Sequence, residues 1–489
     1  MCILRLWRKC KEPYLQLGQN TLMPLKEACG VLGIVNEFPV LNLLQVGLRA
    51  LQHRGQESAG ITLSDNEHIT QKGMGLVSEA LSEFGSEFDN GTVGIGHVRY
   101  STAGGSSMKN AQPITVSAIT GEISIGHNGN IANQDKLRHE KENAGWAFMS
   151  DTDSEIIVRM IANYLSKNHS ITKSIQLTME NLVGSYSIVL LHNDEVLAFR
   201  DPLGIKPLCV GEIEGGFVVA SESSAIEIMG GNVIRDVQPG EIISIDLNGV
   251  NSHSISKSED KAFCMFEYVY FARPDAKIDG ILTYSVRQRI GHKLWEEAPL
   301  EADIIVPVPD SGIACALGFS EASNIIYREG LIKNRYVHRS FIQPGNEQRK
   351  ATINEKLNPV KELVEGKRVV LVDDSIVRGN TSRRIVQRVR EAGATEVHLR
   401  IGCPPIISPC FLGIDMPSRD EFIAPNRTME EIRKEIGADS IAYVSIPGLV
   451  ESIGKEEKDL CLGCITENYP LPIDGERQRG QATLEDFEI

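Results

Sequence analysis

The stretch "RVVLVDDSIVRGNTSRRIVQRVREAGATEVHLRIG", residues 368–402, carries the reading of the fold. It opens as an apolar, β-branched run that ends on two acids, Asp373 and Asp374. A polar loop follows. Ile385, Val386 and Val389 then recur at helical spacing up to a stop at Gly393, and a second apolar run closes the segment. Strand, loop, helix and strand in that order form a βαβ unit, whose natural home is a parallel sheet. Such sheets take ligands beyond the carboxyl ends of their strands, where this pair of acids stands. Upstream, "ADIIVPVPDSG" (302–312) reads as another buried strand running into a loop.

The first half has a different texture. From residue 29 to about 260, short β-branched runs are punctuated by glycine: "CGVLGIV", "TVGIGHVRYST", "ISIGHNGNI", "YSIVLLHNDEVLAFRD", "EIISIDLNGV". Segments near 40–52 and 153–166 have helical periodicity. Helices grouped between series of strands predict sheets covered by helices. A chain of 489 residues is too long for one ordinary core, so two domains are expected.

Composition removes several classes of function. With 50 Lys and Arg against 65 Asp and Glu, the net charge of −15 argues against a nucleic-acid surface. No apolar run approaches the roughly 18 residues that would span a bilayer, so no membrane partner is expected. The opening "MCILRLWRKCKEPYLQLGQN" lacks a secretory pattern, which predicts a cytoplasmic protein. Ten cysteines spread over so long a chain point to catalysis or metal binding and not to a disulfide framework.

In "LKEACGVLGIV" (25–35), Cys29 stands at the start of an apolar strand. A chain-terminal cysteine carries its own base, because an α-amine titrates near about 7.7–8.0, close to the thiol. Cys29 has that advantage only if the bond to Ala28 is cut or translation starts at Met23 and the short remainder is removed. In "GHNGN", Asn128 offers a side-chain amide and Gly129 an unobstructed N–H as oxyanion donors, although Asn-Gly is also the favoured hairpin turn. Arg99 in "GHVRYSTAG" can clamp a carboxylate, and Asp153 in "SDTDSE" an ammonium. The ordered set "ACGVLGI", "LQHRGQESAGI", "GHVRYSTAG", "GHNGNI" and "TDSE" resembles the glutamine amidotransferase domain of the N-terminal-nucleophile hydrolases. That resemblance implies a four-layer αββα sandwich over residues 29–260. It also implies Cys29 as nucleophile, Asn128 and Gly129 as oxyanion hole, and Arg99 and Asp153 as the glutamine grip, with His53, Arg54 and Tyr100 around the pocket and its interface.

In the second half, Asp373 and Asp374 can accept both hydroxyls of a ribose and help place Mg²⁺. Ser375, Arg378, Gly379, Asn380 and Thr381 follow at a helix N-terminus, an anion cradle. This string resembles the phosphoribosylpyrophosphate (PRPP) motif of type I phosphoribosyltransferases, with Asn380 where threonine is expected. "VPVPDSGIACALGF" resembles their pyrophosphate loop, with Asp310, Ser311 and Gly312 at the turn. "HRSFIQPGNEQRKATINEKLNPV" resembles their flexible loop. The resemblance implies a parallel-sheet α/β domain over 261–470, Mg²⁺ held by Ser311, Asp373 and Asp374, and Lys356 on the leaving pyrophosphate. Arg335, Arg339, Arg349 and Lys350 make that loop locally basic.

Cys461 and Cys464 form a CxxC that wants two more cysteines. The iron–sulfur-bearing branch of the glutamine PRPP amidotransferases, which the whole chain resembles, implies Cys264 and Cys410. A Cys₄ set fits zinc and [4Fe–4S] equally, since spacing does not separate them. Cys403 lies nearby and reads as a strand residue. The two halves in this order resemble the glutamine PRPP amidotransferase family in its iron–sulfur-bearing branch, which favours a structural [4Fe–4S] cluster. The family implies conversion of glutamine, PRPP and water to 5-phosphoribosylamine, pyrophosphate and glutamate, the first committed step of de novo purine synthesis. It further implies a homo-oligomer, dimer or tetramer, with purine nucleotides as feedback inhibitors. Residues 1–28 are then a propeptide and 471–489 a polar tail.

Overall fold

The computed structural model describes residues 29–65, 67–100, 105–254, 260–334, 357–416 and 418–473. The leader 1–28, the tail from 474 and the loop 335–356, with Lys356, Arg335, Arg339, Arg349 and Lys350, lie outside the described residues.

The glycine-punctuated runs of the first half form two antiparallel sheets. One has seven strands in the order 232–236, 209–213, 216–220, 30–36, 93–99, 58–65, 67–74. The other has six, in the order 249–254, 241–246, 195–200, 184–192, 121–131, 114–118. Alternation sends Val31, Val35, Ile95, Val189, Leu191 and Val210 into the space between the sheets, where they form one buried cluster. Burying each such side chain stabilises the fold by about 1.5–3 kcal/mol. The outer face of the first sheet is covered by the helix Leu41–Ala50, through Leu44 and Leu48. The outer face of the second is covered by Asp153–Leu165 and Ile171–Met179, through Ile156, Ile157, Ile161 and Ile175. The result is the expected αββα sandwich, with helices where the periodicity placed them.

The competing turn reading of "HNGN" gave way. Asn128 and Gly129 do not turn the chain but lie inside the strand Gly121–Ile131, which pairs with Gly184–His192 through nine register partners. A ladder of that length outweighs the turn preference of a single Asn-Gly step.

The second half holds a five-stranded parallel sheet in the order 326–327, 304–307, 368–373, 396–401, 440–443. The βαβ reading is met by the strand Arg368–Asp373, the helix Asn380–Glu391 and the strand Glu396–Ile401. Ile385, Val386 and Val389 face its core, and Gly393 ends the helical segment at φ +101°. The halves are joined by buried polar groups. Arg54 reaches Glu267, Arg200 reaches Asp279 and Lys206 reaches the Gly413 carbonyl. Among the described residues no helix is long and apolar enough to cross a membrane.

Candidate active sites

The first site lies where the strand Gly30–Asn36 begins. Cys29, Arg99, Tyr100, Gly129 and Asp153 line one small pocket together with Gln112, His127 and Thr152. The Cys29 thiol is buried and donates to the Tyr100 carbonyl at 3.3 Å. Burial pushes this thiol up, and the nearby Arg99 acts against that rise. The backbone carbonyl of Cys29 accepts from Arg54 Nε at 3.0 Å. Arg54 in turn holds Glu222 at 2.5 Å and Glu267 at 2.7 Å, and Glu222 also meets His53 Nε2 at 2.7 Å.

Arg99 ends its strand with its guanidinium oriented by Glu57 at 2.6 Å. Asp153 opens a 13-residue helix, and its carboxylate accepts the Ile131 N–H at 2.9 Å, with His127 Nδ1 at 3.5 Å. Burial raises its pKa, but His127 and the Ile131 and Ser154 N–H groups more than offset this, so the carboxyl is held below its ordinary range. Gln112 fixes the strand that carries the pocket. It accepts the His127 N–H at 2.8 Å and donates to Ser154 Oγ at 3.1 Å.

Asn128 stands opposite Ser187 on the sheet face shared by Val189, and so looks into the inter-sheet space from which Cys29 emerges. Both amide atoms of Asn128 are buried without a hydrogen-bond partner among the described residues. A buried amide in that state costs about 1–3 kcal/mol unless something binds it.

The second site lies at the carboxyl edge of the parallel sheet. Asp373 ends its strand, and Asp374 accepts from Ser311 Oγ at 2.5 Å and Ser375 Oγ at 2.6 Å. This brings the predicted pyrophosphate loop against the predicted ribose acids. Burial and then the adjoining Asp374 push the Asp373 carboxyl well above its ordinary range. Arg378 meets Glu421 at 2.7 Å. Gly379 sits at φ +75° directly before the helix Asn380–Glu391, and a Cβ there would fall 2.3 Å from Ile423 Cδ1. Asn380 and Thr381 open the helix, with their N–H groups at its positive end. Lys333 pairs with Asp310 beside the loop.

The third group is the cysteines. Cys264 and Cys461 are register partners on adjacent parallel strands. Cys464 and Cys410 share their buried cluster, and Cys410 Sγ accepts the Leu412 N–H at 3.3 Å. Burial pushes the Cys264 thiol up to about 12, and Cys410 adds to the rise. Cys461 and Cys464 are also raised by burial first and then by neighbouring sulfurs. Cys403, expected as a strand residue, instead lies two residues beyond the end of the strand Glu396–Ile401, fully buried. Among the described residues, no three His, Cys, Asp or Glu side chains are grouped as ligands of a single metal ion.

Sequence reasoning missed Glu57, Gln112, His127, Thr152, Glu222 and Glu267. His127 adjoins Asn128 in the quoted motif, so it was within reach. Thr152 adjoins Asp153 in the same way and bonds locally to Ser150, whereas the other four meet their partners only across the fold.

A glutamine amidotransferase domain model matches residues 97–227, and a phosphoribosyl transferase domain model matches residues 287–403. An amidophosphoribosyltransferase of Methanocaldococcus jannaschii is 49% identical, over 93% of this chain and 100% of its own length. That of Bacillus subtilis is 43% identical over 92% and 95%. A solved structure of the Bacillus subtilis glutamine PRPP amidotransferase, complexed with ADP and GMP, superposes with a TM-score of 0.86 at 42% identity, covering 92% of this chain and 98% of that one. With both domains present in order and identity sustained over nearly the full length of these relatives, the chain belongs to the amidophosphoribosyltransferase family.

Proposed function

We propose that the chain forms 5-phosphoribosylamine from PRPP with ammonia released from glutamine, using residues 29–260 for glutamine and 261–470 for PRPP. The observation that carries the reading is the pocket in which a buried, unpaired cysteine faces Arg99 and Asp153, on the same chain as the acid pair at the edge of a parallel sheet.

With residues 1–28 removed, the α-amine of Cys29 takes the thiol proton as sulfur attacks the glutamine carboxamide. Arg99 holds the substrate carboxylate and Asp153 its ammonium. Asn128 Nδ2 and the Gly129 N–H receive the oxyanion, which gives the buried amide of Asn128 its missing partner. The α-ammonium returns that proton to the leaving nitrogen as collapse expels ammonia and leaves a glutamyl thioester. Water cleaves the thioester to glutamate and restores Cys29. At the second site ammonia forms a bond to C1 of PRPP as the bond to pyrophosphate breaks. Asp373 and Asp374 hold the ribose hydroxyls. Ser375, Arg378, Gly379, Asn380 and Thr381 cradle the 5′-phosphate, and Lys356 meets the leaving pyrophosphate.

The crowded pair Asp373 and Asp374, with the Ser311 hydroxyl on Asp374, is a hard oxygen donor set that fits Mg²⁺. Magnesium is commonly held by one or two carboxylates plus substrate phosphates, so a site with few protein ligands is sufficient. When bound, Mg²⁺ neutralises charge on the pyrophosphate. Cys264, Cys410 and Cys461 all lie near enough to Cys464 to raise its thiol, and the four make a soft donor set that would suit a [4Fe–4S] group tying the C-terminal segment to the domain junction. Purine nucleotides are the expected inhibitors, as the ADP and GMP on the Bacillus subtilis relative support, and the eight cysteines among the described residues, all unpaired, fit a reducing cytoplasm.

Cys29→Ala tests the two-site scheme. Glutamine-dependent phosphoribosylamine formation should vanish while ammonia-dependent formation persists at the parent rate. Loss of both in a folded protein would refute it.

A further inference from the structure

The segment that follows Cys410 runs against the back of the glutamine pocket. Three successive carbonyls of this segment are held by three side chains from the first half. Asn130 Nδ2 donates to Phe411 O at 2.8 Å, Ser185 Oγ to Leu412 O at 2.7 Å and Lys206 Nζ to Gly413 O at 3.2 Å. Ser185 and Lys206 are fully buried, and Asn130 is nearly so. A lysine ammonium at 0% exposure is expensive unless it has a structural task. The backbone of Lys206 is itself fixed, because its carbonyl accepts from Arg200 Nε at 2.6 Å and Ser187 Oγ at 3.2 Å.

The held segment ends on Gly413, at φ +94°. A Cβ on Gly413 would stand 3.0 Å from the Gly129 carbonyl carbon, 3.2 Å from Gly129 Cα and 3.0 Å from Lys206 Cε. On its other side Gly129 is closed in by the Ser185 carbonyl, 2.0 Å from where its own Cβ would lie. Gly129 is thus clamped between its partner strand and Gly413.

We propose that the Phe411–Gly413 segment, gripped by Asn130, Ser185 and Lys206, is a brace that sets the position of the Gly129 N–H for the glutamine half-reaction. Lys206 and Gly413 are then positioning residues: neither lines the glutamine pocket, and both act through Gly129. The inference rests on the reading that Asn128 and Gly129 receive the oxyanion. It goes further in making a segment of the phosphoribosyltransferase half responsible for glutamine chemistry.

Gly413→Ala puts a methyl about half an ångström inside ordinary contact with Gly129. A misplacement of 1 Å costs on the order of 10²-fold in rate, so about a tenfold fall in glutamine-dependent kcat is expected. An oxyanion donor acts in the transition state, so the glutamine KM should stay within about twofold. Ammonia-dependent synthesis, which does not use the pocket, should also stay within about twofold of the parent. Lys206→Met and Ser185→Ala, which remove one hydrogen bond each without a clash, should lower glutamine-dependent kcat in the same direction by a smaller factor.

The full chain is assayed for glutamine kcat, glutamine KM and ammonia-dependent rate, with Asn128→Ala alongside, where a fall on the order of 10²-fold or more is expected. Parallel loss of both activities would overturn the brace, as would a raised KM at unchanged kcat. If Asn128→Ala keeps full kcat, the oxyanion assignment falls and the brace with it. If Asn128→Ala loses rate while Gly413→Ala and Lys206→Met do not, the brace alone is refuted.

Discussion

Arg54→Met removes the group that ties the backbone of Cys29 to the second half of the chain. The Arg54 and Glu222 side chains are fully buried and that of Glu267 is 2% exposed. The guanidinium donates to the Cys29 carbonyl at 3.0 Å, to Glu222 at 2.5 Å and to Glu267 at 2.9 and 2.7 Å. Methionine fills similar space but leaves two buried carboxylates without their shared cation. Glu222 keeps His53 at 2.7 Å and the Arg273 N–H at 3.1 Å, so the cost falls mainly on Glu267. Breaking one side of a buried ion pair costs about 3–5 kcal/mol, and that loss is expected in urea unfolding followed by circular dichroism. The double variant Arg54→Met/Glu267→Leu removes the stranded charge as well, and should recover at least about 1 kcal/mol of it. Glutamine-dependent turnover should stay low in both, since neither anchors the Cys29 carbonyl. A single variant within about 1 kcal/mol of the parent would refute the reasoning, as would a double variant less stable than the single.

His97 supplies a pH test, because burial drops its imidazole to about 3 while its Nε2 meets the His127 carbonyl at 3.0 Å. The unfolded chain takes up a proton below about pH 6.5 that the folded one refuses down to about 3, so stability falls with pH across that window by about 1.4 kcal/mol per unit. Between pH 8 and pH 5 the parent should lose about 2 kcal/mol more than His97→Leu, and equal losses would count against a neutral buried imidazole. Gly379→Ala forces a side chain into φ +75° and against Ile423, so the PRPP KM should rise about tenfold or more while glutamine hydrolysis is retained. An unchanged PRPP KM would remove Gly379 from the phosphate cradle. Anaerobic purification should give a brown protein with about four irons per chain, whereas a colourless zinc-only preparation would exclude the cluster.

What was legible in the chain was local. The strand ending on Asp373 announces itself because a parallel strand, the loop that begins at Asp374 and the following helix are contiguous. The helix over 153–165 shows its buried stripe in the spacing of Ile156, Ile157, Met160 and Ile161. What was illegible depends on distant pairing. Asn128 and Gly129 carry the turn signature yet lie in a strand, because the ladder to residues 184–192 is set by a segment more than fifty residues away. Glu57 beside Arg99, and Glu222 and Glu267 beside Arg54, are ordinary acids in sequence. Their partners stand 42, 168 and 213 positions distant, and no local periodicity encodes that. Lys206 reads as a surface lysine until the fold shuts it in.

The chemistry of the junction says why the two halves keep one arrangement. An apolar interface tolerates sliding, since one set of hydrophobic contacts is replaced by another at small cost. Here Arg54 meets Glu267, Arg200 meets Asp279 and Lys206 meets Gly413 across the junction, and each cation is at most 1% exposed. A shift of even a few ångströms would take Glu267 from Arg54, Asp279 from Arg200 and the Gly413 carbonyl from Lys206, leaving buried polar groups on both sides short of partners that water does not replace. Such a junction adds less stability than an apolar one of the same area, but it admits a single register. A reaction that passes ammonia from one site to the other needs that constancy, because ammonia reaching water is protonated and no longer a nucleophile. The buried cations therefore serve the geometry of transfer between the two sites more than the stability of the fold.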